Sequence, residues 1–250
     1  HVVMSSTATD NYLIITNCVF TNNTRNAFVL ESGVTVNFAM AVNIQQSTFT
    51  NNGVAALFNL GDFGLPLALS ITGSTISNHN FDTALQMRTQ SQMQWMIDNC
   101  TFSANTATLS GGAIYFQYDP NGLNSDYMVL DWTNTVFDGN IAAQWGGAVR
   151  IVHANNEKLQ LDLSMRNVVF RNNEANMAGA MAVSVGQHNV SLQDVTAEFN
   201  SATLQGGAFL MEVNSSALAP GYFAWTIQSG TFFANSAQSG SAMYVSCGSI

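Results

Sequence analysis

The sequence predicts an all-β fold, a parallel β-helix of about eight coils with three short strands in each coil. Three observations predict it. A short motif recurs along the whole chain, each repeat contains three extended runs with alternating apolar residues, and no segment has the apolar stripe of an amphipathic helix. Repeats of this size indicate stacked units, and strands that stack from one unit to the next form a β-helix. We expect residues 1–250 to form one such domain, as a portion of a longer chain.

The repeated motif ends in a polar residue, and its clearest copy runs from Cys100 to Asn105. The copies lie 26 to 35 residues apart when they are aligned on that final residue. They end at Asn23, Asn52, His79, Asn105, Asn140, Asn173, Asn200 and Asn235. Because neighbouring strands lie ~4.8 Å apart, eight coils predict a rod roughly 35 to 40 Å long.

The first run of most units carries an aromatic anchor, and Ile76 takes that place in the third unit. Neighbouring side chains in a strand point to opposite faces, so the anchors point inward and the Thr or Val beside each of them points outward. The predicted inward ladder comprises Phe20, Phe49, Phe102, Phe137, Phe170 and Phe232. The seventh unit departs from this pattern, because Ala197 takes the Phe register and Phe199 follows two places later. We expect a bulge or a local shift there.

The second and third runs alternate in the same way. Ile114 and Phe116 typify the second run, and Leu161 and Leu163 typify the third. The length of each unit varies mainly between these two runs. The variable segments, which include 60–66 and 186–189, should emerge as loops along one edge of the rod, where repeat proteins commonly bind their partners.

Two kinds of corner separate the runs. The first, between the third and first runs, carries a polar or small residue for which we predict the left-handed backbone conformation, and stacked side chains there can also bond one another. These residues are Asn17, Gln46, Gly73, Asn99, Asn134, Asn167, Asp194 and Ser229. The second carries a glycine pair, such as Gly146 and Gly147, which permits a corner that is closed to residues with a Cβ atom.

Composition excludes several partners. Only 8% of the residues are charged, 47% are apolar, and the net charge is −9 with six basic residues. Nucleic-acid binding needs clustered cations, and an anionic membrane surface attracts them as well, so we expect neither partner. No apolar run approaches the ~20 residues of a membrane helix, and we expect no direct membrane insertion.

The paired signatures Phe-x-x-Asn and Gly-Gly-Ala-aliphatic resemble the polymorphic outer-membrane protein repeat, which is named for chlamydial surface autotransporters. The best copies run from Phe102 to Ile114 and from Phe137 to Val149. The resemblance extends over nearly the whole chain. It implies a right-handed, pectin-lyase-like parallel β-helix at a cell surface, with a role in adhesion or in a structural coat.

An enzymatic function is the first alternative, since many β-helices cleave polysaccharides. Glycoside hydrolysis needs two carboxylates that face each other across a groove. Asp131 and Asp162 are the best candidates, because each flanks the third run of adjacent units. We interpret them as solvated strand residues and predict no catalytic activity, because functional carboxylate pairs need a cleft. The alternatives are a polysaccharide hydrolase or lyase and a non-catalytic glycan-binding module.

Neither a metal nor another cofactor is expected. The oxygen-bearing residues Asp119, Asn121, Asn124 and Asp126 lack the spacing of an EF-hand loop, so a polar turn is favoured there. We interpret the other candidate ligands, His79, His153 and His188, as single loop or corner residues without partners at metal-ligand spacing.

The cysteines are predicted to be free thiols. Cys18 and Cys100 share one inward register three coils apart, which is ~14 Å by strand spacing and beyond the reach of a disulfide. Cys247 belongs to a different wall of the rod. All three are expected to act as small core residues.

Candidate surface sites are sequons and aromatic residues. The candidate glycosylation sites are Asn22, Asn99, Asn189 and Asn214, of which Asn189 and Asn214 are predicted to lie in protruding loops and Asn99 at a corner. Tyr115, Trp145 and Tyr244 are candidate contacts to a ligand or partner, because flat rings stack on sugars and anchor protein partners. Burial of Trp145 under a neighbouring coil is an open alternative.

The sequence therefore predicts a non-catalytic extracellular or cell-surface β-helix that acts as an adhesin or as a structural subunit of a coat or filament. Neither end of the predicted rod has an obvious cap, and bare strand edges recruit other strands. The expected partners are other protein chains, including copies of this one, at the coil ends or lateral faces. Glycans or a cell-surface receptor are further expected partners.

Overall fold

The computed structural model describes residues 2–6, 11–24, 27–30, 40–52, 58–63, 67–89, 92–118, 127–153, 160–215 and 223–249. These residues form an all-β, right-handed parallel β-helix, which confirms the predicted fold class. Each of its eight coils passes through three long walls, called sheets 1, 2 and 4 in chain order. Coils 3 to 7 add a short sheet 3 between sheets 2 and 4.

The strand bounds are as follows. Sheet 1 comprises Val2–Ser6, Asn11–Thr16, Met40–Gln45, Leu67–Thr72, Met93–Asp98, Tyr127–Thr133, Gln160–Arg166, Gln187–Gln193 and Phe223–Gln228. Sheet 2 comprises Val19–Thr21, Thr48–Thr50, Thr75–Ser77, Thr101–Ser103, Val136–Asp138, Val169–Arg171, Thr196–Glu198 and Thr231–Phe233. Sheet 3 comprises Asn80–Phe81, Thr106–Ala107, Ile141–Ala142, Glu174–Met177 and Ser201–Gln205. Sheet 4 comprises Phe28–Leu30, Phe58–Phe63, Leu85–Thr89, Ile114–Tyr118, Val149–His153, Met181–Val185, Phe209–Ser215 and Met243–Ser249.

The phenylalanine ladder lies in the core as predicted. Phe102, Phe137 and Phe170 occupy one register of sheet 2 and are fully buried, with ring centroids 5.0 and 4.8 Å apart. Phe20 stacks on Phe49 at 4.8 Å. Stacking each ring on its counterpart in the next coil buries a continuous apolar column, which supplies much of the driving force for folding.

The expected bulge in the seventh unit is wrong. Ala197 pairs in register with both Phe170 and Phe232, while Phe199 adopts φ 54° at the corner and is 52% exposed. Phe209 on sheet 4 takes the space beside Ala197, with its ring edge-on to Phe170 at 5.4 Å and to Phe232 at 5.6 Å. Because the missing ring is replaced from the opposite wall, the ladder keeps its register.

Both corner predictions are confirmed. The eight residues between sheets 1 and 2 have φ values from 47° to 57°. Two of their side chains bond across coils, since Asn167 Nδ2 donates to Asn134 Oδ1 at 2.9 Å. In the glycine pair, Gly146 has φ 62°, and a Cβ on Gly147 would lie 2.2 Å from the carbonyl oxygen of Gly179. A side chain at Gly147 therefore has no room.

The motif's final asparagines form a buried ladder that the sequence reading did not assign. Asn105, Asn140, Asn173 and Asn200 are fully buried at the corner after sheet 2. Asn173 is typical: its Nδ2 donates to the Phe137 carbonyl at 3.0 Å and to Asn200 Oδ1 at 2.9 Å, and its Oδ1 accepts from both Asn140 nitrogens at 3.0 Å. Each amide thus satisfies buried backbone groups of its neighbours.

Three further expectations need correction. The first coil has a cap on sheet 1, because Val2–Ser6 pairs antiparallel with Asn11–Thr16.

Two of the segments expected to be loops are largely strand. The strand Phe58–Phe63 covers part of segment 60–66, and the strand Gln187–Gln193 covers segment 186–189 from the residue after Gly186. Polar and apolar residues alternate in both segments, which suits a strand with one face in the core and one face outward. The strands therefore extend further than predicted.

Two of the three predicted free thiols are confirmed. Cys18 and Cys100 do not form a disulfide, and Cys100 is buried, which raises the pKa of its thiol to about 11. The side chain of Cys247 lies outside the described residues. The buried thiol of Cys100 therefore serves as a small core residue, as expected.

Candidate partner-binding surface

The three candidate aromatic residues lie on or beside the outer face of sheet 4. Tyr115 pairs with Arg150, which pairs with Ala182, and the same outward column ends at Tyr244 in the last coil. Trp145 lies at the corner just before the fifth strand of this sheet, in register with Met177. All three aromatic side chains are half-buried. Parallel pairing in register places residues that are far apart in sequence in one column.

Arg150 is the centre of this surface. Its guanidinium carbon lies 4.5 Å from the ring centroid of Trp145, which is cation–π distance. Its Nη1 donates to Ser184 Oγ at 2.8 Å, and Ser184 in turn donates to Glu212 Oε2 at 2.6 Å. Burial lowers the pKa of Arg150 to about 10, and the charge of Glu212 opposes that shift. Arg150 therefore stays cationic at neutral pH and is held in one position by three successive coils.

An apolar cluster completes the surface. Ala178, Ala182 and Leu210 are fully buried on the outer side of the sheet, and Trp145 and Tyr244 pack against them. Trp145 therefore does pack on a neighbouring coil, as the alternative reading of the sequence allowed, while keeping part of its ring accessible. The outcome is a rigid surface of half-exposed rings above the buried Arg150, which suits recognition by stacking.

Sequence reasoning did not assign Arg150, Ser184 or Glu212 to a site. The available signal was their outward position in the second run of three successive repeats. Aligning these outward positions between units would have placed Tyr115 beside Arg150 and Ser184 beside Glu212, because the register is constant across these coils.

The carboxylates considered for hydrolysis lie on a different wall. Asp131 pairs with Ser164 and Asp162 with Val129, so the two are offset along adjacent strands of sheet 1. Asp162 accepts hydrogen bonds from the Tyr127 hydroxyl and from Asn189 Nδ2. Both carboxylates project from the outer face of sheet 1, and the side chain of Asp162 is already engaged by these two hydrogen bonds.

His79 lies at the corner after sheet 2, as interpreted, whereas His153 and His188 lie in the strands Val149–His153 and Gln187–Gln193, so the loop interpretation is wrong for these two. All three histidines are buried. His79 replaces an asparagine in the buried ladder, where its backbone N–H donates to Asn105 Oδ1 at 3.2 Å. Burial lowers the pKa of His79, and it lowers the pKa of His188 to about 4. Neutral imidazoles fit these positions as core side chains.

No group of three or more ligating side chains is positioned to hold a metal ion within the described parts of the chain. The predicted polar turn with Asp119, Asn121, Asn124 and Asp126 lies outside the described residues. No helix among the residues with described structure has the length and apolar character needed to cross a membrane.

The sequons differ in accessibility. Asn22 and Asn99 are exposed at corners with positive φ. The loop prediction for Asn189 is wrong, because Asn189 lies in the strand Gln187–Gln193 and its amide is bonded to Asp162. Asn214 likewise lies in the strand Phe209–Ser215, and its side chain is outside the described residues. Glycosylation of these four residues stays a prediction.

These features define a class, a repeat β-helix whose function resides in its outer faces. The sequence model of the Chlamydia polymorphic membrane protein repeat matches residues 99–117 and 134–151. The chain thus contains repeats of the polymorphic membrane protein family, as the paired signatures indicated.

One curated relative extends this comparison. Over 185 residues, or 62% of the chain, the sequence is 26% identical to the protein named "Probable autotransporter YfaL" from Escherichia coli strain K12. The match covers 14% of that relative's length. No solved structure matches the chain. The family and the relative together indicate an outer-membrane or cell-surface location.

Proposed function

We propose that the chain is a non-catalytic adhesin, which contacts a cell-surface receptor through the outer face of sheet 4. The observation that carries this proposal is the fixed Arg150 on Trp145, with Tyr115 and Tyr244 in the same outward column. Arg, Trp and Tyr dominate binding energy at protein interfaces, especially where their side chains are held rigid before binding.

The supporting geometry is the preorganisation of the surface. The buried Arg150 side chain is bonded to Ser184 and stacked on Trp145, so it holds the half-exposed Trp145 ring in place, and binding costs little of that ring's conformational entropy. The tyrosines are half-buried, and Tyr115 donates its hydroxyl to Gln117 Oε1 at 3.1 Å. Rings that are partly packed and partly accessible can cover more apolar area without first having to be ordered.

The structure of the first coil favours adhesion over the alternative of a filament subunit. The antiparallel strand Val2–Ser6 occupies the edge of sheet 1, so a second copy cannot extend that wall there with the same parallel ladder. The proposal of no catalysis is supported by the offset of Asp131 and Asp162 on one wall. Asp162 also accepts hydrogen bonds from Tyr127 and Asn189, which stabilise its carboxylate and make it a poor general acid.

The test is adhesion of beads coated with the purified chain to a panel of cultured cell types. Tyr115→Ala and Tyr244→Ala should each reduce the number of bound beads at least tenfold, because each removes an aromatic contact from the surface. Tyr12→Ala is the matched control, because Tyr12 is an exposed tyrosine on sheet 1. Adhesion that survives both sheet 4 substitutions, or that no cell type supports, would refute the proposal.

Catalysis is tested separately by incubating the chain with neutral and acidic polysaccharides and measuring new reducing ends and unsaturated products. We expect none. Turnover that disappears in Asp131→Ala or Asp162→Ala would instead establish the carbohydrate-active alternative.

A further inference from the structure

The outer face of sheet 1 carries a long groove that the proposed adhesive surface does not use. It consists of two adjoining depressions of about 370 and 250 Å³ that share Val129. The first is lined from the second to the fifth coil, with Ala41 and Ala68 among its residues, and the second continues to the last coil, with Ser191 and Ala224. The groove therefore crosses the strands and runs along the axis of the rod.

The sequence creates this groove by placing small residues at stacked outward positions. Ala41 pairs with Ala68, and Ser164 pairs with Ser191. Successive coils lie ~4.8 Å apart, so a floor that extends from the second to the eighth coil is roughly 29 Å long. A straight floor of this length, with equivalent positions repeated at each coil, fits a linear molecule built from repeating units.

We propose that this groove binds a linear polysaccharide without acidic groups. The floor offers apolar atoms, on which the flat faces of sugar rings can rest, together with amide and hydroxyl side chains such as Asn43, Gln94 and Ser70. An extended peptide fits less well, because its backbone N–H and C=O groups would lie against an apolar floor whose own backbone is already paired within the sheet.

The charges in the groove determine which polysaccharide binds. The charged residues among those that line it are Asp131 and Asp162. Asp162 already accepts hydrogen bonds from Tyr127 and Asn189, whereas Asp131 is exposed and accepts none from the described residues. Asp131 is therefore an acceptor for a sugar hydroxyl, and both carboxylates repel a chain of uronic acids.

The experiment is isothermal titration calorimetry of the purified chain with hydroxyethyl cellulose, a soluble galactomannan, polygalacturonate and polylysine. We expect binding to at least one neutral polysaccharide and none to polygalacturonate. Ala68→Trp and Ser191→Trp fill the two halves of the groove at exposed positions and should each weaken that binding at least tenfold. Thr75→Trp, at an exposed position on sheet 2, is the matched control and should leave it unchanged.

Asp131→Lys supplies a second readout at the same site. It should weaken binding of the neutral chain and allow polygalacturonate to bind. The inference is overturned if neither neutral polysaccharide binds, if the two groove-filling variants bind as the unmodified chain does, or if polylysine binds more tightly than both. Circular dichroism and thermal unfolding must show that each variant is folded before its affinity is compared.

This inference stands apart from the proposed adhesive surface. Ala68→Trp should leave bead adhesion unchanged, and Tyr115→Ala should leave polysaccharide binding unchanged. Polysaccharide binding without cell adhesion would refute the proposed adhesive function and support the groove as a binding site. Cell adhesion without polysaccharide binding would support the adhesive function and refute the groove as a binding site.

Discussion

Substitution of Asn173 by alanine tests the role of the buried asparagine ladder. The substitution removes four hydrogen bonds of 2.9 to 3.0 Å: two that Nδ2 donates, to Phe137 and Asn200, and two that Oδ1 accepts, from Asn140. The backbone N–H of Asn140 then has no acceptor in a fully buried corner. An unsatisfied buried group costs about 1 to 3 kcal/mol and an ordinary hydrogen bond contributes about 1 kcal/mol, so we expect a loss of roughly 3 to 5 kcal/mol.

Urea-induced unfolding measures this loss, and Asn176→Ala is its control. Asn176 lies in the same coil and is exposed, so its substitution should change the free energy of unfolding by less than about 0.5 kcal/mol. Amide hydrogen exchange adds a local readout, because the Asn140 amide should lose protection in Asn173→Ala alone. Equal stability of the two variants, with the Asn140 amide still protected, would refute the assignment of this ladder.

Three more predictions concern the core, a corner and the buried histidines. Phe137→Ala should destabilise the chain by about 3 to 5 kcal/mol in urea unfolding through lost burial and a cavity, and a loss below about 1 kcal/mol would mean that the ring is solvated. Gly147→Val should prevent normal folding, since its Cβ would lie 2.2 Å from the Gly179 carbonyl; a native circular dichroism spectrum and melting temperature would contradict the corner assignment. The burial that lowers the pKa of His188 to about 4 means that the unfolded chain, with a histidine pKa near 6.5, binds the proton more readily. The free energy of unfolding should therefore be highest above pH 6.5 and fall by up to about 3 kcal/mol as the pH drops to 4. The same dependence of stability on pH in His188→Leu would contradict this.

The sequence predicted those parts of the fold that stacking repeats in every coil. The Phe102 to Phe137 pairing and the positive φ of Asn134 follow from patterns that recur at one position of each unit. A single repeat would have given a weak signal for either feature. Repetition strengthens the prediction because a residue type that suits one coil meets the same surroundings in the next.

Other features were beyond the sequence because they depend on neighbours in space. The two-residue strands of sheet 3, such as Ile141–Ala142, are too short to show alternation. His79 is buried because it belongs to the asparagine ladder, and the sequence did not reveal that ladder. Phe209 replaced the missing ring at Ala197 from across the core, and no pattern along one run reveals such a contact.

The candidate surface was predicted in part. Tyr115 and Tyr244 were correctly placed on an outer face, because alternation alone determines which way a strand residue points. The hydrogen bonds that hold Arg150 on that face were missed, since the bond from Arg150 to Ser184 joins residues of different coils. The loop prediction for Asn189 was wrong because a single residue, Gly186, is enough to connect the two strands that flank it.

The stacked coil is the central claim, and electron paramagnetic resonance distances test it most directly. Spin labels on Thr75 and Thr231 occupy one outward column of sheet 2, five coils apart, and labels on Thr48 and Thr231 are six coils apart. At ~4.8 Å per coil the two distances should be roughly 24 and 29 Å, so that they differ by one strand spacing. Distances that do not increase with the number of intervening coils would contradict the account.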